Sequence, residues 1–320
     1  MRSQPMSFLK LFRFSMAILL GTSVLYMLTM FRMSGPGEGN ELSVGRLGAS
    51  QSVANRRFEA GSFDEAKTFL ESVSLSDGPV YIVLMSGKRD GEYWCGDCRN
   101  ADKPISEAFA KAPSNARLLE VSVGEPAQWR QASNPFRIHR LFTVSRIPAV
   151  LEYKGNLKTS NLLLEKFAKD KELLEYLFQV NTKELKSSKI KDITTVDELQ
   201  NVISNYDNSY PLFLFFISGN DQDTGRLWCP HCDSAAVPVE YYFLRYSPSN
   251  AIMFKVITSE NYDAWMDSNN PFRQQNLVDV NGLPALFRAV PDSTPSLVFD
   301  EYAEYFEERE KLIQFYEKPL

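Results

Sequence analysis

The sequence predicts an α/β chain in which one unit is used twice behind a single apolar segment. Three observations carry that reading. All four cysteines and all four tryptophans fall at equivalent positions of an internal repeat. A helix-start signal and a continuous apolar run precede each cysteine pair, and eighteen uncharged residues stand near the N-terminus. With 320 residues, 44 % of them hydrophobic, the chain suits two globular units of ordinary size.

The uncharged run is Phe14 to Phe31, long enough to cross a thin bilayer as one helix. Arg2, Lys10 and Arg13 precede it and Arg32 alone follows closely, a bias that keeps the N-terminus cytosolic and sends the body across. It ends in Thr29-Met30-Phe31-Arg32 rather than at a small-residue cleavage site, so a signal anchor is expected rather than a cleaved signal peptide. The expected organisation is a cytosolic N-terminus at 1–13, the anchor at 14–31 and a Gly- and Ser-bearing tether at 32–54. A first domain at 55–180, a lysine-rich linker at 181–188 and a second domain at 189–320 follow. The body would then be lumenal, in the endoplasmic reticulum or secretory pathway. The acid-free start with Arg, Lys and Ser also fits a mitochondrial presequence followed by an inner-membrane helix. The formal charge is −5, and removing the four cations of the acid-free first 37 residues leaves −9 for the body. An acidic body argues against nucleic acid as a partner.

The repeat is fixed by features recurring at nearly one offset. Cys95, Cys98 and Pro104 map to Cys229, Cys232 and Pro238 at an offset of 134. Trp129, Asn134-Pro135-Phe136-Arg137 and Ile147-Pro148-Ala149 map to Trp265, Asn270-Pro271-Phe272-Arg273 and Leu283-Pro284-Ala285 at 136. Each unit opens with Ser or Thr followed by Glu three residues later, Ser62 to Glu65 and Thr195 to Glu198, which can close a capping box and start a helix. The runs Val80 to Met85 and Leu212 to Ile217 are apolar without alternation, as in strands buried on both faces. Ser86-Gly87 and Ser218-Gly219 end them. A polar loop then leads to a helix that begins at the cysteines and reaches past Pro104 or Pro238, placing Cys95 and Cys229 at helix N-termini. Further strands are expected over Arg117 to Val123, Ala251 to Ile257, Ala149 to Tyr153 and Ala285 to Arg288, with a hairpin turn at Lys154-Gly155-Asn156. Amphipathic helices are expected over Leu164 to Phe178 and Tyr302 to Glu317.

A strand, Trp94-Cys95-Gly96-Asp97-Cys98 or Trp228-Cys229-Pro230-His231-Cys232 at a helix start, and Pro148 or Pro284 some fifty residues later together resemble the thioredoxin superfamily. Within it each unit is similar to the small thioredoxin-related proteins that carry Trp-Cys-Pro-Asp-Cys. The resemblance implies two tandem thioredoxin-like domains, each a central mixed β-sheet flanked by helices. It implies that Cys95 and Cys229 are nucleophiles, that Cys98 and Cys232 resolve, and that Pro148 and Pro284 are cis, facing the thiols and helping dock an extended substrate. Trp94 and Trp228 would flank the disulfide. The chain departs from that family at Gly96, where the family has Pro, at His231, where it has Asp, and at Ala149 and Ala285, where many relatives have Thr.

A cysteine at a helix N-terminus is stabilised as a thiolate by the unpaired N–H groups and the dipole. The intervening residues Gly96, Asp97, Pro230 and His231 then tune it. A protonated His231 favours the Cys229 thiolate and makes that disulfide more oxidising, whereas Asp97 opposes a thiolate and favours a more reducing couple. The expected activity is thiol–disulfide exchange with protein thiols and disulfides, served by a redox partner the sequence does not name, with no cofactor and no metal. Two other classes remain open: a zinc module pooling four thiolates, and a redox-inactive adaptor using the folds as scaffolds. Trp129, Trp265, Phe136 and Phe272 read as core. His139 reads as a surface or capping residue, and Arg137 and Arg273 as partners of surface carboxylates.

Overall fold

In the computed structural model, which describes residues 53–180, 185, 187–290 and 297–318, the chain lays down two five-stranded sheets. The expected anchor at 14–31, nearly all of the tether at 32–54, and linker residues 181–184 and 186 lie outside the described residues. Among the described residues no helix is long and apolar enough to cross a membrane.

The first half begins with β1 (Arg57–Ala60), α1 (Phe63–Ser72) and β2 (Val80–Met85). A two-rung ribbon, β3 (Lys88–Arg89) and β4 (Glu92–Tyr93), leads into α2 (Gly96–Ala110). Then come β5 (Arg117–Ser122), the single turns α3 (Pro126–Trp129) and α4 (Pro135–Ile138), β6 (Ala149–Gly155), β7 (Lys158–Leu164) and α5 (Lys171–Leu177). The second half repeats the plan with β8 (Ile190–Ile193), α6 (Val196–Ser204), β9 (Leu212–Ile217), α7 (Pro230–Tyr246) and β10 (Ile252–Ile257). It closes with α8 (Tyr262–Met266), α9 (Pro271–Gln274), β11 (Ala285–Val290), β12 (Val298–Glu301) and α10 (Arg309–Glu317).

Sheet order is β1-β5-β2-β6-β7 in the first half and β8-β10-β9-β11-β12 in the second, the same topology twice. In each, the first three strands run parallel and the last two antiparallel. Parallel pairing needs helical crossovers that cover the sheet faces, which is why the central strands β2 and β9 are buried at every position. Along β9, Phe213, Phe215 and Ile217 enter a core that continues into the first half, while Leu212, Leu214 and Phe216 enter a separate cluster on the far face. The period of two in a strand sorts one apolar run into two cores.

The helix starts follow the sequence. Ser62 Oγ accepts from the Glu65 N–H at 3.3 Å, and Thr195 and Glu198 close a reciprocal capping box at 3.2 and 3.1 Å. Two expected helices are shorter than the pattern suggests. Within Leu164 to Phe178, the first residue still belongs to β7, because Leu162, Leu163 and Leu164 are all buried in the sheet. The α-helix waits for the Asp170 cap, whose carboxylate accepts from Glu172 and Leu173 N–H groups at 2.9 and 3.2 Å. Within Tyr302 to Glu317, helix forms only from Arg309. Tyr302 is held in the core, and Glu307 and Glu308 form ion pairs with Arg146 and Lys166 of the first half. The short strands β1 and β8, part charged and only four residues long, carry no pattern that announced them.

The halves are joined by more than the linker. Helix α7 lies against β7 and α5, and the hydroxyls of Tyr242 and Tyr246 donate to Asp170 and Glu172 at 2.7 and 2.8 Å. Arg309 reaches the same two carboxylates at 3.0 and 3.2 Å.

Candidate active sites

In both halves the strand-ending Ser-Gly step builds the site. Gly87 and Gly219 donate their N–H groups to the carbonyls of Gly124 and Ser259 at 3.1 and 2.7 Å. The backbones approach so closely that a Cβ on Gly219 would stand 2.6 Å from the Ser259 oxygen, a position only glycine fills without displacement. The tryptophan is then fixed at both ends. The Trp94 N–H donates to the Gly87 carbonyl at 3.1 Å and its indole N–H to Gly124 at 2.8 Å. Trp228 repeats this with Gly219 at 3.1 Å and Ser259 at 3.0 Å. Both rings are half-buried.

The serine of each step serves the cysteines. Ser86 Oγ accepts from the Cys95 N–H at 3.2 Å, and the Ser86 N–H donates to Cys98 Sγ at 3.4 Å. Ser218 Oγ accepts from the Cys229 N–H at 3.3 Å. Cys95 and Cys229 occupy the N-cap positions of α2 and α7, and Cys98 and Cys232 are buried one turn in. All four are free thiols. The Ile147–Pro148 and Leu283–Pro284 bonds are both cis. The carbonyls preceding the two prolines lie 3.8 Å from Cys95 Sγ and Cys229 Sγ respectively. Every residue expected at the sites is thus gathered at the start of α2 or α7, with its proline opposite.

The electrostatics differ between the halves. Cys229 Sγ accepts the Cys232 N–H at 3.4 Å, whereas Cys95 makes no side-chain cap bond. The Cys229 thiol is brought down to about 6. The Cys232 thiol bonded to it contributes most, and the Cys232 and His231 N–H groups and the His231 charge add to that against the opposing effect of burial. Burial pushes the Cys98 and Cys232 thiols well above the ordinary range. Pro230 and His231 are exposed at the first turn of α7, as are Gly96 and Asp97 on α2. Asp97, however, is not a lone carboxylate, because Lys169 Nζ stands 2.7 Å away.

A buried ion pair supports the second site alone. Asp233, next to Cys232, meets Arg226 at 2.8 Å, and both side chains are more than nine-tenths buried. Burial pushes the Asp233 carboxyl up against the pull of Arg226. Arg226 also donates across to the Phe142 carbonyl, and to that of Thr143 at 2.9 Å, in the first half. Sequence reasoning missed Ser86, Ser218, Lys169, Arg226 and Asp233. The signal for the serines was the repeated Ser-Gly step, and for the pair it was a charge reversal, since the offset of 134 sets Glu92 and Arg99 opposite Arg226 and Asp233.

The aromatic assignments hold. Trp129, Trp265, Phe136 and Phe272 are buried. Arg137 and Arg273 do not seek surface carboxylates as expected; their guanidinium groups lie over the Trp129 and Trp265 rings at 4.9 and 5.7 Å. His139 caps α4 and accepts the Leu141 N–H at 3.2 Å. Among the described residues no three His, Cys, Asp or Glu side chains converge as a metal would require.

A family profile described as thioredoxin domain-containing protein 17-like, thioredoxin domain, matches residues 59–180 and again 192–301. The chain belongs to that family. Thioredoxin domain-containing protein 17 of Homo sapiens is 27 % identical over 124 residues, which is 38 % of this chain and 96 % of the human protein. The thioredoxin-like protein Clot of Arabidopsis thaliana is 24 % identical over 90 residues, 27 % of this chain and 67 % of its own length. Among solved structures, oxidized thioredoxin O1 from Arabidopsis thaliana aligns with a TM-score of 0.28 and 17 % identity, over 39 % of this chain and 96 % of that one. Full-length ERdj5 aligns with a TM-score of 0.32 and 12 % identity, over 87 % of this chain and 35 % of that one. The family domain therefore occurs twice in this chain.

Proposed function

We propose that the chain is a thiol–disulfide oxidoreductase acting on protein cysteines through two unequal sites. The observation that carries this is Cys229, a helix-capping thiol that accepts the Cys232 N–H at 3.4 Å and is held near 6, with a buried partner one turn away and the carbonyl before Pro284 at 3.8 Å. At neutral pH such a group is largely thiolate, the form that attacks a disulfide sulfur. In the reducing direction Cys229 attacks a substrate disulfide and one substrate sulfur leaves as a thiol. Cys232 then gives up its proton and attacks Cys229, releasing the second substrate thiol and leaving the Cys229–Cys232 disulfide. Two electrons pass from the enzyme pair to the substrate, and the reverse sequence oxidises a substrate dithiol.

Stabilising the reduced form makes a disulfide more oxidising, so Cys229–Cys232 is the more oxidising couple and Cys95–Cys98 the more reducing. Lys169 offsets the Asp97 carboxylate, so the asymmetry rests chiefly on the second site. The test uses the full chain with one pair at a time replaced by Ser, equilibrated against glutathione. The second site is expected to be reduced at the lower ratio of reduced to oxidised glutathione; equal or reversed order overturns the assignment, and no exchange at either site overturns the oxidoreductase reading. The apolar run at 14–31 and its flanking charges support an anchored chain with its body in the lumen of the secretory pathway. Protease protection in fractionated cells checks this, and a protease-accessible body overturns it.

A further inference from the structure

The sites differ in what borders the tryptophan before each N-terminal cysteine. Beside Trp228 stands α8, where Tyr262, 59 % exposed, meets the Trp228 ring edge-on with centroids 6.0 Å apart. Met266, 48 % exposed, follows four residues later, on the same side of the helix. Core packing does not account for either side chain, because Trp265 between them is the residue that α8 buries. Scattered apolar residues are ordinary on a surface, but these two continue an active-site tryptophan into one apolar rim, and such contiguity marks a contact surface. Glu260, Asp263 and Asp267 are exposed around it, against one cation, Arg273, whose guanidinium donates to the Met266 carbonyl at 3.1 Å, so the border carries a net negative charge.

The first half has none of this. At the offset of 136, Pro126 and Arg130 stand where Tyr262 and Met266 do. The residue after the Trp94-bonded carbonyl of Gly124 is Glu125, tied in an exposed ion pair to Arg89. The neighbourhood is polar, with Arg130 in place of an apolar side chain.

We propose that the second site selects polypeptide cysteines flanked by a bulky apolar side chain and by Lys or Arg, with Tyr262 and Met266 receiving the former and Asp263 and Asp267 attracting the latter. The first site lacks this selectivity. The inference rests on the exchange activity proposed above and names the substrate class of one of its sites. Trp228 adjoins Cys229 and contacts Tyr262, which puts this rim within reach of the side chains next to the cysteine of a peptide whose thiolate attacks the Cys229–Cys232 disulfide. The attack forms a peptide–Cys229 disulfide and releases Cys232, which takes up a proton. A second peptide thiol then attacks the peptide sulfur, the peptide disulfide closes and Cys229 departs reduced.

The test is a single turnover of the full chain carrying Cys95→Ser and Cys98→Ser, oxidised beforehand with oxidised glutathione. It is mixed with two dithiol peptides, one with Trp and Lys beside its cysteine and one with Ser and Glu there, or with dithiothreitol. Thiols are counted by mass after acid quenching. The Trp-Lys peptide is expected to react faster than the Ser-Glu peptide by about tenfold or more, the discrimination a single apolar contact can supply. That ratio should collapse toward one in Tyr262→Ser/Met266→Ser and fall by a smaller factor in Asp263→Asn/Asp267→Asn. It should also be near one for the chain carrying Cys229→Ser and Cys232→Ser instead. Equal rates for the two peptides with dithiothreitol still reactive, or a ratio untouched by the variants, overturn this inference alone. A chain inert to all three reagents overturns the exchange reading and this one with it.

Discussion

Site 1 and site 2 share the backbone frame around their cysteines, yet the side chains placed on that frame diverge. Both have the Ser hydroxyl under the N-cap N–H, the doubly held tryptophan, the buried second thiol and the carbonyl at 3.8 Å. They part at Asp97 against His231, at an exposed Arg99 against a buried Asp233, and at Pro126 against Tyr262. The halves share what positions the sulfurs and differ in the charges and side chains set around them. The second site is also the one clamped to its neighbour, because Arg226 bonds carbonyls of the first half while pairing with Asp233.

Breaking that clamp should give the largest effect. Asp233→Leu leaves the Arg226 guanidinium buried without its carboxylate and should cost about 3–5 kcal/mol in urea unfolding. Arg226→Met/Asp233→Leu should recover much of the loss, because no buried charge is then stranded. A cost below about 0.5 kcal/mol for Asp233→Leu, the range of an ordinary surface change, would show that the pair does not hold the second site.

A smaller effect sharpens the electrostatic half of the comparison. Alkylation of Cys229, with Cys95 and Cys98 replaced by Ser, should inflect near pH 6. Cys232→Ala should raise that inflection more than His231→Ala, since the Cys232 thiol is the largest of the lowering causes and the His231 charge the smallest. The reverse order would place the tuning on the histidine. The sign for stability follows. A thiol depressed in the fold adds stability that is present above its ordinary range and lost as pH falls through about 6. Between pH 6 and 8 the reduced chain should therefore gain on its Cys229→Ser variant, by at most about 1.4 kcal/mol per pH unit.

The sequence made the repeat, the buried central strands and the cysteine-bearing helix starts legible because each leaves a local periodic or capping signature. It did not show β1 or β8, since four-residue strands such as Ile190–Ile193 are specified by the neighbour they pair with. Nor did it show that Leu164 belongs to a strand, because a buried leucine run fits a helix face equally well. At the sites, the cysteines and prolines could be read, but Lys169 beside Asp97 is 72 residues distant in sequence. Arg226 was hidden for the same reason, as its carbonyl partners lie across the halves. A paired charge is a tertiary fact, and pairing decides whether a carboxylate acts on its neighbour at all.

The smallest expected effect concerns Gly96, the one position of the first motif where the second has proline. Gly96 is the first residue of α2, and a Cβ there would meet only the Arg99 side chain at 3.6 Å, so the backbone has no need of glycine. Proline at the first helical position removes an N–H that has no intrahelical partner and presets the helical φ. Gly96→Pro should thus stabilise the chain by about 0.4–1 kcal/mol, mainly by restricting the unfolded state. If the sites differ through charge and hydrogen bonding rather than through stiffness at the helix start, the glutathione equilibrium of Cys95–Cys98 should move little in this variant. A shift that carries the first site to the equilibrium of the second would instead assign the difference to the proline, and would leave His231 and the Cys232 hydrogen bond as minor contributors.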